Sequence, residues 1–247
     1  PLTVHTRTVT LIACDSATDD DGFVMPDSLP WTPPFALSID TLLLPAMGEV
    51  TPPPLQLTAR QQQQHWSVQV ASSQSRMQAE YVRHDGQWSL QGDGELQEWQ
   101  THWQGAWQLA GEGRWQGQPA GNLDVTLQNA GLESQPQKAD LAMKARFAGE
   151  QWQADMSLTE PLSLNEQWLL AIPEPLSLQG EGVALSQARG QFQFQGPQGQ
   201  IHVAARSDDS SVEQGAGQVT LTGPQLDGQL DFQWQDRMLT LSPASLA

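Results

Sequence analysis

Alternation of apolar and polar residues, repeated in segment after segment, constrains this chain more than any other feature. Leu123, Val125 and Leu127 alternate with Asp124, Thr126 and Gln128. Leu141, Met143, Ala145 and Phe147 repeat the pattern, as do Trp152, Ala154, Met156 and Leu158. Phe192 and Phe194 stand between glutamines, and Leu230, Phe232 and Trp234 stand between Gln229, Asp231, Gln233 and Gln235. Trp103, Gly105, Trp107 and Leu109 share one phase, with His102, Gln104 and Gln108 in the other. Successive side chains of a β-strand point to opposite faces, so each run is a strand with one apolar and one wet face.

Turn residues separate the runs. Asp85-Gly86, Gly117-Gln-Pro119, Asn129-Ala-Gly131, Gly196-Pro197, Gly223-Pro224 and Asp227-Gly228 are expected as turns of a long antiparallel meander. Any helix is short and expected within Leu162–Ala171. The recurring Gly-x-Gly pairs, such as Gly92–Gly94 and Gly111–Gly113, read as glycines at strand ends and bulges. Six of the ten tryptophans precede Gln, a weak repeat of one strand or hairpin. The first fifty residues differ: strands over Leu2–Ile12 and Phe35–Leu44 flank an acidic loop, Asp15 to Asp21, and a Pro-rich stretch, Pro26 to Pro34. Apolar strand faces need a cover. A second sheet supplies it in a β-sandwich, and a sheet curled on itself supplies it in a groove. Alternation alone leaves both open.

With 28 acidic and 11 basic residues the formal net charge is −17, and only Lys138 and Lys144 are lysines. Such a chain has little with which to neutralise phosphates, so nucleic acid and anionic membrane surfaces are disfavoured as partners. No stretch approaches the roughly 18 apolar residues of a membrane span. The chain is expected to be a piece of a longer protein. Asp19-Asp20-Asp21-Gly22 suggests a calcium loop, but Ala17 and Ser28 fall where ligands belong, and a solvated loop is the better reading. The five histidines lie far apart, none at metal-ligand spacing. No nucleophile elbow is present. No enzyme, metal or cofactor is expected. The lone Cys14 is either an inert thiol or half of a disulfide to a residue outside the chain. The tryptophans pack a core, stack sugar rings, or line an apolar trough.

Val9-Thr-Leu-Ile-Ala-Cys14, Leu29-Pro-Trp31 and Phe35-Ala-Leu-Ser-Ile-Asp-Thr-Leu-Leu-Leu-Pro45 resemble the opening of the periplasmic portion of the YdbH family, relatives of AsmA-like and TamB-like envelope proteins. Gln87-Trp-Ser-Leu-Gln-Gly-Asp-Gly-Glu-Leu96 is similar to the strands that follow in that family. The resemblance covers about the first hundred residues and continues in style beyond them. It implies an all-β, taco-like groove, curled and partly open, with few or no helices, and a β-sandwich as the alternative. Residues 1–247 would form one continuous segment, with leading strands over 1–50 and repeated strands over 51–247. It implies a periplasmic segment of an inner-membrane-anchored bridge that carries phospholipid acyl chains toward the outer membrane. Other parts of the longer protein and a small envelope lipoprotein would be its partners. The groove lining would be Trp103, Trp107, Leu123, Val125, Leu127, Met143, Phe147, Trp152, Met156, Phe192, Phe194, Phe232 and Trp234. A β-sandwich module for envelope glycan or protein, and a structural spacer, are the competing functions.

Overall fold

The structure is a computed structural model that describes residues 2–11, 34–45, 51–100, 102–134, 136–164, 167–182, 184–197, 199–210, 214–224, 226–235 and 238–246, with backbone alone at 208–210, 226, 234, 239 and 243–246. Cys14, the Asp19–Gly22 loop and most of the Pro-rich stretch lie outside the described residues. The chain divides into two compact units, Pro1–Ser134 and Gln135–Ala247.

The first unit holds β1 (Leu2–Thr10), β2 (Phe35–Leu43), β3 (Leu55–Gln62), β4 (His65–Ala71), β5 (Arg76–Val82), β6 (Gln87–Glu95), a single 3-10 turn (Leu96–Glu98), β7 (Trp103–Gln116) and β8 (Gln118–Leu132). Strands β2 to β8 pair antiparallel with their sequence neighbours, as a meander does. The exception is β1, which lies parallel to β2 with Leu2 opposite Phe35 and Thr8 opposite Thr41.

The second unit holds β9 (Ala139–Ala148), β10 (Gln151–Leu158), β11 (Leu162–Ser163), β12 (Leu169–Ala171), β13 (Leu176–Glu181), β14 (Ala184–Gly196), β15 (Gly199–Ser210), β16 (Gln214–Gly223), β17 (Leu226–Gln235) and β18 (Met238–Leu246). Its ladder runs β9, β10, β13, β14, β15, β16, β17, β18, all antiparallel. The expected helix within Leu162–Ala171 is replaced by β11 and β12. Leu170 pairs with Leu162 and with Phe194 of β14, whose ladder β13 leaves free beyond Arg189. An open edge supplied a partner that a one- or two-turn helix would lack.

Two expected turns are corrected. Asn129-Ala-Gly131 lies inside β8, where Asn129 (φ 51°) faces Gly105 (φ 115°) across a register shift, so these residues form a bulge. Asp227-Gly228 lies inside β17. The turns at Gly86, Gly117, Pro197 and Pro224 are present. Four glutamines, Gln61 to Gln64, end β3 and open β4 through a hairpin in which Gln63 takes φ 55°.

Within each unit, among the described residues, each strand makes its substantial contacts with its ladder neighbours and with no second layer of that unit. Only six hydrophobic residues are fully buried among those described: Ile39, Leu42, Leu55, Tyr81, Ala130 and Ala154. Ile39, Leu42 and Leu55 form a cluster with Val9, Leu37, Leu44, Leu57, Val70 and Trp99 packed on it. Among the described residues, neither unit by itself is a two-sheet sandwich.

Candidate functional site: an uncovered apolar face

Register keeps the alternation of β2 to β8 in phase. Phe35, Gln61, Trp66, Tyr81, Trp88, Gly113 and Gly121 stand in one row across the strands. The next row is Leu37, Ala59, Val68, Ala79, Leu90, Gly111 and Leu123, followed by Ile39, Leu57, Val70, Met77, Gly92, Leu109 and Val125. The opposite face reads Ser38, Thr58, Gln69, Gln78, Gln91, Ala110 and Asp124 in the corresponding row. A slip of one residue in any strand would mix the two sets. The apolar rows are half-buried and the polar ones largely exposed. Seven strands therefore present one apolar surface.

The second unit repeats the arrangement. Trp152 stands opposite Phe147 and Gly180, and Met156 opposite Met143 and Leu176. Phe192 faces Val203, and Phe194 faces Ile201 and Leu170. Phe232 faces Gly217, while the backbone of Trp234 is placed opposite Gly215 in the same phase.

Of the residues expected on the groove, Trp107, Leu123, Val125 and Leu127 share the apolar face of the first unit. Met143, Phe147, Trp152, Met156, Phe192, Phe194 and Phe232 share that of the second. Trp103 pairs with Leu132 beyond the Gly105 bulge and is 40% exposed. Strands β2 to β6 add a larger set that was not singled out from sequence, including Leu37, Val68, Val70, Leu90, Trp66, Tyr81 and Trp88. Their signal was the same alternation, in Trp66, Val68 and Val70 for example.

The glycines have a function that spacing did not disclose. Gly92, Gly111, Gly113 and Gly217 lie within paired strands, and aromatic rings cover them. The Trp88 ring lies over Gly113 and Gly121, Trp152 over Gly180 and Phe232 over Gly217. At Gly196 a Cβ would stand 2.7 Å from Cδ2, Cε2 and Cε3 of Trp168 alike, so that ring lies flat on the strand. Rings laid down on glycines shield backbone without building height, and the apolar face stays shallow.

One end of the first unit's face is closed. Past β6 the chain turns through Leu96–Glu98 and brings Trp99 onto the Ile39–Leu42–Leu55 cluster. The Glu98 carboxylate holds this turn in place. It accepts hydrogen bonds from Ser72 Oγ (2.6 Å), Ser73 Oγ (2.8 Å), the Gln74 amide (3.1 Å) and Ser75 Oγ (2.5 Å), and Trp99 Nε1 donates to Ser75 Oγ at 3.3 Å. Partial burial by itself pushes the carboxyl up, but these donors outweigh it and hold Glu98 below the ordinary carboxylate range.

The ion pairs within the strands lie on the wet face. Arg76 Nε donates to Asp93 Oδ1 at 2.8 Å, and His5 meets Asp40 at 3.4 Å. A depression of about 490 Å³ on the second unit is lined by polar-face groups including Arg189, Gln191, Arg206 and Gln218. Among the described residues no group of His, Cys, Asp or Glu is arranged to hold a metal ion, and no helix is long and apolar enough to cross a membrane.

Open β-sheets with one uncovered apolar face define a class of proteins whose surface suits elongated apolar ligands. Residues 3–247 match the model of the YdbH-like family, described as intermembrane phospholipid transport protein YdbH. The chain belongs to this family. Its likeness thus extends over nearly the whole chain, well past the first hundred residues. No curated protein and no solved structure matches the chain. The family's described role is transport between membranes.

Proposed function

We propose that this chain carries phospholipids by their acyl chains along its apolar faces, as a periplasmic segment of a bridge between inner and outer membranes. The observation that supports this most is the register: seven strands of the first unit keep every apolar row in phase. Apolar contact supplies about 0.8 kcal/mol per buried CH₂. That attraction is graded along a row of Leu, Val, Ala and Gly, so a chain can slide without a deep trap. The longer protein would be anchored in the inner membrane, with a small envelope lipoprotein as a further partner.

Purified chain should yield co-extracted phospholipid by mass spectrometry. Photo-crosslinkers at Trp107 and Phe194 should capture it, while those at Gln108 and Gln193, on the wet face, should not. Lipid-free chain with no capture at any of the four sites would favour a spacer.

A further inference from the structure

Two buried polar atoms on the first unit's apolar face have no hydrogen-bond partner: Gln61 Oε1 and Tyr81 OH. Their residues are only 2% and 6% exposed. Both belong to the row of Phe35, Trp66 and Trp88, separated by Trp66 alone. Native chains pair buried polar groups almost without exception, and an orphan costs stability. The Gln61 amide nitrogen is already committed to the Gln63 carbonyl at 2.7 Å, which leaves the oxygen as acceptor. Tyr81 is covered by edge-to-face contact with Trp115, with centroids 6.3 Å apart, and Trp66 stands opposite it in the ladder. Both tryptophans are only half-buried.

This row is the last full one before the hairpins at Gln62–His65 and Val82–Gln87. One step beyond it, the Arg83 amide continues the ladder to the Gln64 carbonyl at 2.8 Å. Arg83 opens the turn that follows β5, two residues past Tyr81 at the same rim. Arg83 forms no ion pair among the described residues, whereas Asp85 is engaged by His84 at 3.5 Å and by the Gln87 amide. The face is therefore asymmetric from end to end. It has a cation, a hydroxyl and an amide oxygen among aromatic rings at one rim, and aliphatic rows ending on the Trp99 cluster at the other. From the Tyr81 row to the Met77 row is two alternations, roughly 14 Å. That is close to the hydrocarbon depth of one leaflet, about half of 30 Å.

Resting on the transport reading above, we propose that this rim is a headgroup subsite for a diacyl phospholipid. Arg83 meets the phosphate, Tyr81 OH donates to an ester carbonyl, and Gln61 Oε1 accepts from a headgroup or glycerol donor. The acyl chains run along the strands toward Trp99. Aromatic side chains with polar tips suit the ester level of a lipid for the same reason they line membrane interfaces.

The test measures binding of three probes to the whole chain: dioleoyl phosphatidylethanolamine, dioleoylglycerol and hexadecane. Arg83→Gln should weaken the phospholipid about tenfold and leave the other two unchanged. Gln61→Leu with Tyr81→Phe should weaken both ester-bearing probes severalfold and leave hexadecane unchanged. The single variant Tyr81→Phe, which removes only an orphaned hydroxyl, should melt no lower than the parent, whereas Gln61→Leu also loses the bond to the Gln63 carbonyl. A phospholipid with a diazirine at the acyl terminus should crosslink near Leu55 and Trp99. Equal losses for all three probes, or crosslinks from the acyl terminus at Trp66 and Tyr81, overturn the subsite while leaving transport standing. A parent chain that binds none of the three overturns both.

Discussion

Trp168 lies flat on Gly196: three atoms of its indole are equidistant, at 2.7 Å, from the position a Cβ would take. These are the three nearest atoms to that position, and Gly196 is in ordinary extended backbone, so the ring is what a side chain would meet first. Gly196→Ala should lift the ring off β14 and destabilise the second unit by about 1–3 kcal/mol, as overpacking does. Adding Trp168→Leu should recover part of that loss. Urea unfolding followed by near-ultraviolet dichroism checks both, and strictly additive losses would contradict the contact.

Glu98 makes the closed end of the first face sensitive to acid. Its carboxyl is held below the ordinary range by the Ser72–Ser75 donors, so the folded state binds its proton less readily than the unfolded one. The resulting stabilisation is complete above the unfolded value of about 4.3 and fades as pH falls through the lower folded value. After allowance for solvent screening, the carboxylate should contribute about 1–2 kcal/mol. Glu98→Gln should lower the unfolding midpoint at pH 6 by that amount and flatten its fall between pH 5 and pH 3, both roughly placed by the same carboxyl value. Equal acid sensitivity in parent and variant would assign the fall to other carboxylates.

Charge on the two faces should have opposite consequences. Val125→Asp puts a carboxylate in the middle of the apolar rows and should abolish most lipid retention, because an unpaired charge is costly against hydrocarbon. Thr126→Asp, one residue on and on the wet face, should leave retention near the parent value. Counting lipids per chain by native mass spectrometry distinguishes the two, and similar losses would remove the distinction between faces.

Gln63 carries a left-handed backbone (φ 55°) at the β3–β4 hairpin. Gln63→Gly relieves that conformation, keeps the carbonyl that Gln61 uses, and loosens the unfolded chain. The two effects leave a net gain of up to about 1 kcal/mol. A lower melting temperature would show that the Gln63 side chain contributes more than its backbone costs.

Strand identity was legible wherever alternation was unbroken. Leu123 to Leu127, Leu141 to Phe147 and Phe192 to Phe194 lie in strands on the phase their spacing indicates. Local signals misled where a neighbour supplied what the sequence could not show. Asn129-Ala-Gly131 has turn residues, yet pairing with β7 absorbs them as a bulge. Asp227-Gly228 is held extended by Leu221 and Thr222 across the ladder. Leu169–Ala171 joins the sheet because β14 has an unpaired stretch there.

Alternation by itself determined that every strand has an apolar and a wet side, because side-chain direction follows from strand geometry alone. The low content of charge determined that the wet side is mostly Gln, Ser and Thr. Only the tertiary structure decided that successive strands align those sides, that glycines sit beneath Trp88, Trp152 and Trp168, and that among the described residues no second layer of the same unit covers the result. Those are cross-strand relations between residues up to tens of positions apart, set by hydrogen-bond register and by the volume of rings over bare backbone. Register converts eleven separate apolar residues and their unnoticed neighbours into two surfaces, one in each unit, and it brings Gln61, Tyr81 and Arg83 to one rim.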